Sequence, residues 1–536
     1  MAETLSLANI EGELVASIEQ PEARPSEDIP FRVLLIGDWS GRANRSIFSS
    51  TEELKTWRPL LVDRDNRDQL IVRLGVKLNV SLPNDSSQSL SITFNDLDDF
   101  HPDRLYNRLE IFDSLRRTRA RLKNSNTFAE AAVEVREWEE LSPAEAAPPK
   151  SKPVTIPEEK PAVGQVFEDN LLDRILTGSG DTAPATKLSQ PTEAVSAEIA
   201  ELAQAAVKPY LTPDIEPYQD QLLAAVDARI AGTMNAILHH PDFQALESAW
   251  RALNLMVSRL ETGTDLKLYL LDVSCDEFRS DLKAGDDFRL TALYRLLVED
   301  TVRTPGGVPW SVIAGNYTFD FTASDLALIE PISMIAQESG ASFVAGVTSH
   351  FLGCDSLVAT PDPDDWQLPL DAAVEDLWKR ITSLPSAAYV GFALPRFLLR
   401  LPYGKDTEPI EEFDFEEMNS RQDVSARHGS YLWANPSFAV AFLLAKGFSA
   451  DGWGFRPSDH LQIEGLPLHV YEHGGDSEIK PCAEVLLTLR AAEKIIDRGL
   501  MPLLSMKHSD IIRLGMLQSI SGAPIGRRRG GERNNY

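Results

Sequence analysis

Between residues 216 and 522 two hydrophobic periods alternate, and this alternation limits the fold more than any other feature of the chain. Short apolar runs, "LKLYLLDVS", "PWSVIAGNYTF", "SFVAGVT" and "AAYVGFALP", are rich in β-branched and aromatic residues and read as strands. Between them apolar residues recur every three or four positions: over 219–260, in a helix running to "VED", in one from Ser324 and in one near 371–382. Strands separated by helices cannot pair as hairpins, so they build a parallel or mixed sheet in a layered domain. The fold class is α/β. The greasiest piece, "SFAVAFLLAKGF", is too short to span a bilayer and reads as core.

The rest of the chain has a different texture. Residues 28–138 open with the strand "FRVLLIGDWSGR" and continue with "QLIVRLGVKLNVSLP" and "QSLSITF", which alternate around "NDSS", a hairpin signal. From "DDFHPDRLYNRLEIFDSLRRTRARLKN" the period is helical, with Leu105, Leu109, Phe112 and Leu115 on one stripe and His101-Pro102 at its start. This is a small α+β unit, preceded by an N-terminal strand or arm at 1–27. Residues 139–215 are a proline- and charge-rich linker that cannot bury enough surface to offset chain entropy. Within it a short amphipathic helix at 167–178 carries Leu171, Leu172, Ile175 and Leu176. It is either a docking peptide or a helix packed on its own domain. Residues 523–536 form a basic, disordered tail with Arg527, Arg528, Arg529 and Arg533.

A length of 536 residues implies two or three domains. A formal charge of −29 argues against nucleic acid or an anionic membrane as the main partner. No apolar run suits membrane insertion, and "MAETLSLANIEGELV" has acids where a signal peptide needs bases. Cys275, Cys354 and Cys482 are widely spaced and odd in number, which fits a reducing cytoplasm and not a structural zinc.

The candidate reactive groups do not assemble into a site. In "HHPDFQALESAWRALNLMV" the stripe Phe243, Leu246, Trp250, Leu253, Val257 marks a packing helix. His239 and His240 are adjacent and cannot share a helix face, while Asp242 and Glu247 diverge, so no metal site is expected. "LIGDWSGR" lacks the spacing of a phosphate loop, and "TPGGVPW" at 304–310 is only a turn. His350 and Cys354 lack a third partner. More unusual is "LPRFLLRLPYG", where Arg396 and Arg400 interrupt apolar sequence. Burial of an unpaired guanidinium is costly, and the nearby "EPIEEFDFEEM" offers Glu411, Glu412, Asp414, Glu416 and Glu417 as partners. Pairing within one subunit, pairing across an interface, and a substrate-binding arginine pair all remain open. No catalytic residue, cofactor or metal ligand is assigned.

These same stretches carry a resemblance. "HHPDFQALESAWRALNLMV", "ALPRFLLRLPYG", "YLWANPSFAVAFLLAKGFSADGW" and "LPLHVY…KPCAEVLLTLRAAEKIIDRGLMPL" resemble, in order, the large subunit of the type VI secretion contractile sheath, the VipB/TssC family. "IPFRVLLIGDWSGR", "LLVDRDNRDQL" and "FNDLDDFHPDRLYNRL" resemble the small subunit, VipA/TssB. The chain thus resembles both subunits fused head to tail, with the large-subunit part shortened. The resemblance implies a structural protein without an active site, whose protomers polymerise around an inner tube and contract to expel it. It also implies other sheath subunits, a baseplate and an AAA+ unfoldase as partners. Residues 5–18 would be a strand donated to a neighbour, and 167–178 the helix the unfoldase grips. The family's large subunit continues beyond "GLMPL…MLQSISG", so a non-polymerising adaptor or end piece is the alternative, and an enzyme using Arg396, Arg400, His239 and His240 a more distant one.

Overall fold

The computed structural model describes residues 29–82, 85–141, 219–285, 287–418, 428–473 and 476–525. The N-terminal arm, the island at 167–178 with Leu171, Leu172, Ile175 and Leu176, and the arginines of the tail lie outside the described residues. The chain divides into two compact units, Ser114–Val226 and the remainder.

The larger unit is organised by one mixed sheet, in keeping with the α/β expectation. Its strands are β1 (Phe31–Gly37), β2 (Leu60–Val62), β5 (Leu266–Asp272), β6 (Val312–Phe319), β7 (Ser342–Val347), β8 (Val390–Leu394), β11 (Gln462–Ile463), β14 (Met501–Ser505) and β15 (Ile512–Leu514). They lie in the order β11-β15-β14-β8-β7-β6-β1-β5-β2. From β5 to β14 neighbours are parallel; β2 at one edge and β15 and β11 at the other are antiparallel. The shorter pairs are β3 (Lys77–Leu82) with β4 (Asp85–Thr93), β9 (Phe397–Leu398) with β10 (Trp433–Ala434), and β12 (Val470–His473) with β13 (Asp476–Ile479).

Strand β1 comes from the N-terminal segment yet lies inside the sheet. It runs parallel to β5 from Phe31 opposite Leu266 to Gly37 opposite Asp272, and pairs with β6 on its other side. Both faces are covered, which explains why β7 and β8 are buried throughout rather than alternating. Side chains of β1 point to opposite faces in turn. Leu34 and Ile36 join Ile313, Phe343 and Phe392 in the core with helix Ala323–Ser339. Phe31 faces the other way and stacks on Phe448 of helix Pro436–Asp451, with ring centroids 4.8 Å apart. That helix is buried nearly all round, as a core helix must be. Gly346 of β7 lets it approach: a Cβ there would sit 3.0 Å from the Asn435 side chain.

Three helical readings change in detail; the helix expected to run to "VED" is helix Cys275–Leu282, a 3-10 turn Phe288–Leu290 and a further helical stretch from Ala292 to Glu299. The 219–260 stretch is two helices, Gln219–Leu238 and Pro241–Arg259, broken where the His240 ring accepts a hydrogen bond from the Asp242 amide as the cap of the second. The stripe through 105–115 is split among helix Pro102–Arg108, a 3-10 turn Glu110–Phe112 and helix Asp113–Lys123, because Leu109 adopts extended backbone. All four stripe residues are nevertheless buried. In the smaller unit, Thr118 and Arg121 of that last helix both bond Glu134 of helix Phe128–Leu141, at 3.0 and 2.7 Å. No helix among the described residues is long and apolar enough to cross a membrane.

Candidate functional site

Arg400 lies just beyond β9 and is 4% exposed. Its Nε donates to Glu247 at 2.9 Å, and its two Nη atoms donate to Glu417 at 2.7 and 3.0 Å. Both carboxylates are wholly buried. Arg251, one turn along helix Pro241–Arg259 from Glu247, donates to it at 2.7 Å and to the Tyr403 hydroxyl at 3.0 Å. Glu417 also accepts from the Tyr403 amide at 2.8 Å and lies 3.2 Å from His239 Nε2. Two guanidinium groups thus meet two carboxylates, with the Tyr403 ring 4.4 Å from the Arg400 guanidinium carbon. Burial alone pushes the Glu417 carboxyl up, but the charge of Arg400 and hydrogen bonds from His239 and Arg400 outweigh it and hold it at about 2. Each charge in the network has its partner, which is the condition for tolerating it in a core.

The other residues singled out from the sequence are engaged separately. Arg396 is half-exposed and pairs with Glu484, which His428 also contacts at 3.0 Å. Burial raises the Glu484 carboxyl, and the contacts with His428 and Arg396 then carry it well below the usual range. Asp414 pairs with Lys405 at 3.0 Å in solvent. The Glu412 amide donates to Asp103 at 3.3 Å, its carboxylate accepts from Asn107 at 2.9 Å, and neighbouring Phe413 packs against Tyr106. Arg396 and Arg400 therefore do not converge on one cleft. His350 pairs with Asp320 at 2.6 Å, while Cys354 lies 2.8 Å from the Thr360 hydroxyl. No group of three or more histidines, cysteines or acids among the described residues is placed to hold a metal ion.

The "GDWSGR" loop after β1 is organised by carboxylates instead of opening onto a phosphate. Asp38 accepts from the amides of Arg42 and Ala43, both at 2.9 Å. Asp272 at the end of β5 accepts from the amides of Trp39 and Ser40 at 2.7 and 3.1 Å and from the Ser40 hydroxyl at 2.7 Å. With these amides occupied by acids, an anion finds little to bind. Burial raises the Asp272 carboxyl to about 6. Arg42 is buried against Glu277 at 3.1 Å, stacks over Trp57, and donates to Ser49. Glu277 closes a capping box with Ser274 at the start of helix Cys275–Leu282. Beside it the Trp250 indole donates to the Trp39 carbonyl at 2.9 Å.

Residues 220–521 match the family model of the VipB/EvpB tail sheath N-terminal domain, more than half of the chain. The chain belongs to this sheath family. Residues 14–138 match the model of the type VI secretion system protein VipA. A curated relative, the type VI secretion system sheath protein TssC1 of Pseudomonas aeruginosa, is 30% identical over 342 residues, covering 62% of this chain and 68% of that protein. The fusion expected from the sequence is thus found as two successive family matches in one chain, separated by residues 139–219, and the chain is a type VI secretion sheath component.

In this sheath protein the Arg400 network lies wholly within the VipB match, whereas the loop after β1 and the acidic stretch form a seam between the two matched parts. Asp38 to Arg42 belong to the VipA match, and Asp272, Glu277 and Trp250 to the VipB match. Asn44 bonds Asp242 at 2.7 Å across the same seam. Glu412 and Phe413 of the VipB part rest on Asp103, Asn107 and Tyr106 of the VipA part. Sequence reasoning missed Arg251, Asp272 and Glu277, and weighed Glu247 only as a metal ligand, not as a partner of Arg400. Two of these left a trace: "SCDE" has capping-box spacing, and Glu247 stands four residues after Phe243 and three before Trp250, on the buried stripe itself.

Proposed function

We propose that this chain is a structural component of a contractile sheath that carries its VipA-like and VipB-like parts in one polypeptide. Copies polymerise around an inner tube in the bacterial cytoplasm and contract to expel it, starting from a baseplate. The observation that carries this reading is the central position of β1. A strand of the VipA-matched part pairs along seven positions with β5 of the VipB-matched part and is flanked by β6 on the other side. Fusion then supplies the two parts in fixed one-to-one ratio, already folded together, and the role is structural, not catalytic. A head-to-tail contact whose rotation does not close generates an open helical filament. In the same reading the island bearing Leu171, Leu172, Ile175 and Leu176 is what an AAA+ unfoldase grips to recycle contracted sheath. Exposed faces of Arg396, Glu412 and Asp414 fall at contacts between subunits.

Electron microscopy of the purified full chain, alone and with an inner-tube protein, tests the proposal. Helical tubes are expected. Discrete particles at high concentration under both conditions would overturn it in favour of a non-polymerising adaptor.

A further inference from the structure

Glu338 stands in the last turn of helix Ala323–Ser339, where the helix dipole disfavours an acid and the helix supplies no base of its own. Two arginines from elsewhere in the fold supply the opposite charge. Arg289 and Arg303 each donate through Nη2 to the Glu338 carboxylate, at 2.9 and 2.8 Å, and the Tyr294 hydroxyl donates to it at 2.8 Å. The Arg289 guanidinium carbon lies 4.8 Å from the centroid of the Phe288 ring, and that of Arg303 lies 5.4 Å from the centroid of the Tyr294 ring. Both side chains are thus held in place, yet they are 52% and 54% exposed. Leu290 and Val302, next to them in the chain, are 66% and 48% exposed. This place is open to solvent, and its composition is that of an interface anchor. Arginine is enriched at such anchors, and arginines fixed beforehand lose less freedom on docking.

The acidic stretch that follows β9 offers the complement. Burial alternates from Glu412 to Glu417, so that Phe413, Phe415 and Glu417 face inward while Glu412, Asp414 and Glu416 are exposed, as is Glu411 before them. We propose that Arg289 and Arg303, with Leu290 and Val302 beside them, dock on this acidic row in a second copy of the chain, at Glu411, Asp414 and Glu416. The two surfaces lie on opposite faces of the nine-stranded sheet. Tyr294 and helix Ala323–Ser339 pack on the face to which Leu34 and Ile36 point. The acidic stretch is tied through Glu417, Arg400 and Glu247 to helix Pro241–Arg259, whose Trp250 meets Trp39 edge-on. Trp39 in turn meets Phe438 of helix Pro436–Asp451, the helix stacked on Phe31 on the other face. Copies that join through opposite faces do so head to tail, in a contact that does not close between two molecules. This inference deepens the self-assembly proposed above and rests on it.

The test reverses the charge on each side separately in the full chain. One variant carries Arg289→Glu with Arg303→Glu, the other Glu411→Arg with Asp414→Arg, and each is assayed alone and mixed with the other by sedimentation of assembled material. Alone, each variant sets like charges against each other at the contact and is expected to assemble about tenfold less or worse. Mixed in equal amounts, each finds opposite charge on the other, and assembly is expected to return to within about threefold of the unaltered chain. Melting of unassembled material checks the fold, and half-exposed pairs of this kind should shift it by no more than about 4 °C. Should a reversed variant fail to fold, Arg289→Gln with Arg303→Gln is expected to lower assembly at an unchanged melting temperature, and undiminished assembly overturns the contact. Undiminished assembly of either reversed variant alone, or no recovery on mixing, overturns the contact while tubes of the unaltered chain leave the assembly reading standing. If the unaltered chain forms no tubes, the assembly reading fails, and the contact is read by sedimentation velocity of the soluble chain at high concentration. Association lost in each variant and regained in the mixture then supports the contact; association that is absent, or unaffected by reversal, overturns it.

Discussion

Replacing Arg400 by methionine removes the guanidinium while keeping a long apolar side chain. Glu247 would retain Arg251, but Glu417 would be left, wholly buried, with only His239 and the Tyr403 amide. The magnitude follows from the Glu417 carboxyl, held at about 2 against an ordinary 4.5. At about 1.4 kcal/mol per pH unit that gap corresponds to ~3 kcal/mol of stability. It lies at the lower end of the ~3–5 kcal/mol lost when one member of a buried pair is removed. Because this carboxyl is depressed in the folded state, its contribution is complete above 4.5 and disappears as pH falls toward 2. Urea denaturation of unassembled protein at pH 7, 5 and 3.5 should show Arg400→Met less stable by ~3 kcal/mol at pH 7, with a much smaller further loss on acidification than the unaltered chain. The double replacement Arg400→Met with Glu417→Met should recover part of the loss, since it removes the orphaned charge. An Arg400→Met chain within ~0.5 kcal/mol of the original at pH 7, or one with an unchanged acid dependence, would refute the claim that this pair is coupled.

Other consequences concern the seam. Burial raises the Asp272 carboxyl to about 6 from 3.8, so its contribution is full below 3.8 and lost as pH rises through 6; of ~3 kcal/mol in all, ~1.4 kcal/mol should develop between pH 7 and 5 when stability is followed, and vanish in Asp272→Asn. Gly41 has φ +74°, and a Cβ there would meet the Lys77 carbonyl oxygen at 2.5 Å, so Gly41→Ala should cost ~2–4 kcal/mol in thermal or urea unfolding. Trp250→Phe removes the hydrogen bond to the Trp39 carbonyl and part of the edge-on contact with the Trp39 ring, and should cost ~1–3 kcal/mol by the same measurement. His240→Ala, which removes the ring acceptor that caps helix Pro241–Arg259, should cost ~0.5–2 kcal/mol.

Much of the architecture was legible because burial leaves a local period. The four runs read as strands at 266–394 are strands, and the stripe Phe243, Leu246, Trp250, Leu253, Val257 is buried throughout. The β3–β4 hairpin follows from the alternation over 77–93, but residues 69–74 of the same run, "QLIVRL", belong to helix Arg67–Leu74 and not to a strand. Periodicity is less able to find where a helix pauses, since a stripe can continue across a capped break, as it does at Leu109. It is also weak on buried charge. Glu247 sits on an apolar stripe, and the partner that makes it tolerable there is Arg400, 153 residues later.

What the chain determines locally is the kind of element and the face it buries, because hydrogen-bonded helices and strands impose their periods on neighbouring side chains. Which strands lie side by side, and which acid answers which base, was decided only by the folded molecule. β1 takes its neighbours from residues 266–272 and 312–315, and Asp272 organises a loop some 230 positions earlier in the chain. Such pairings depend on shape and on the removal of water at a shared surface. Those conditions arise only when distant segments are brought together, and no local period encodes them.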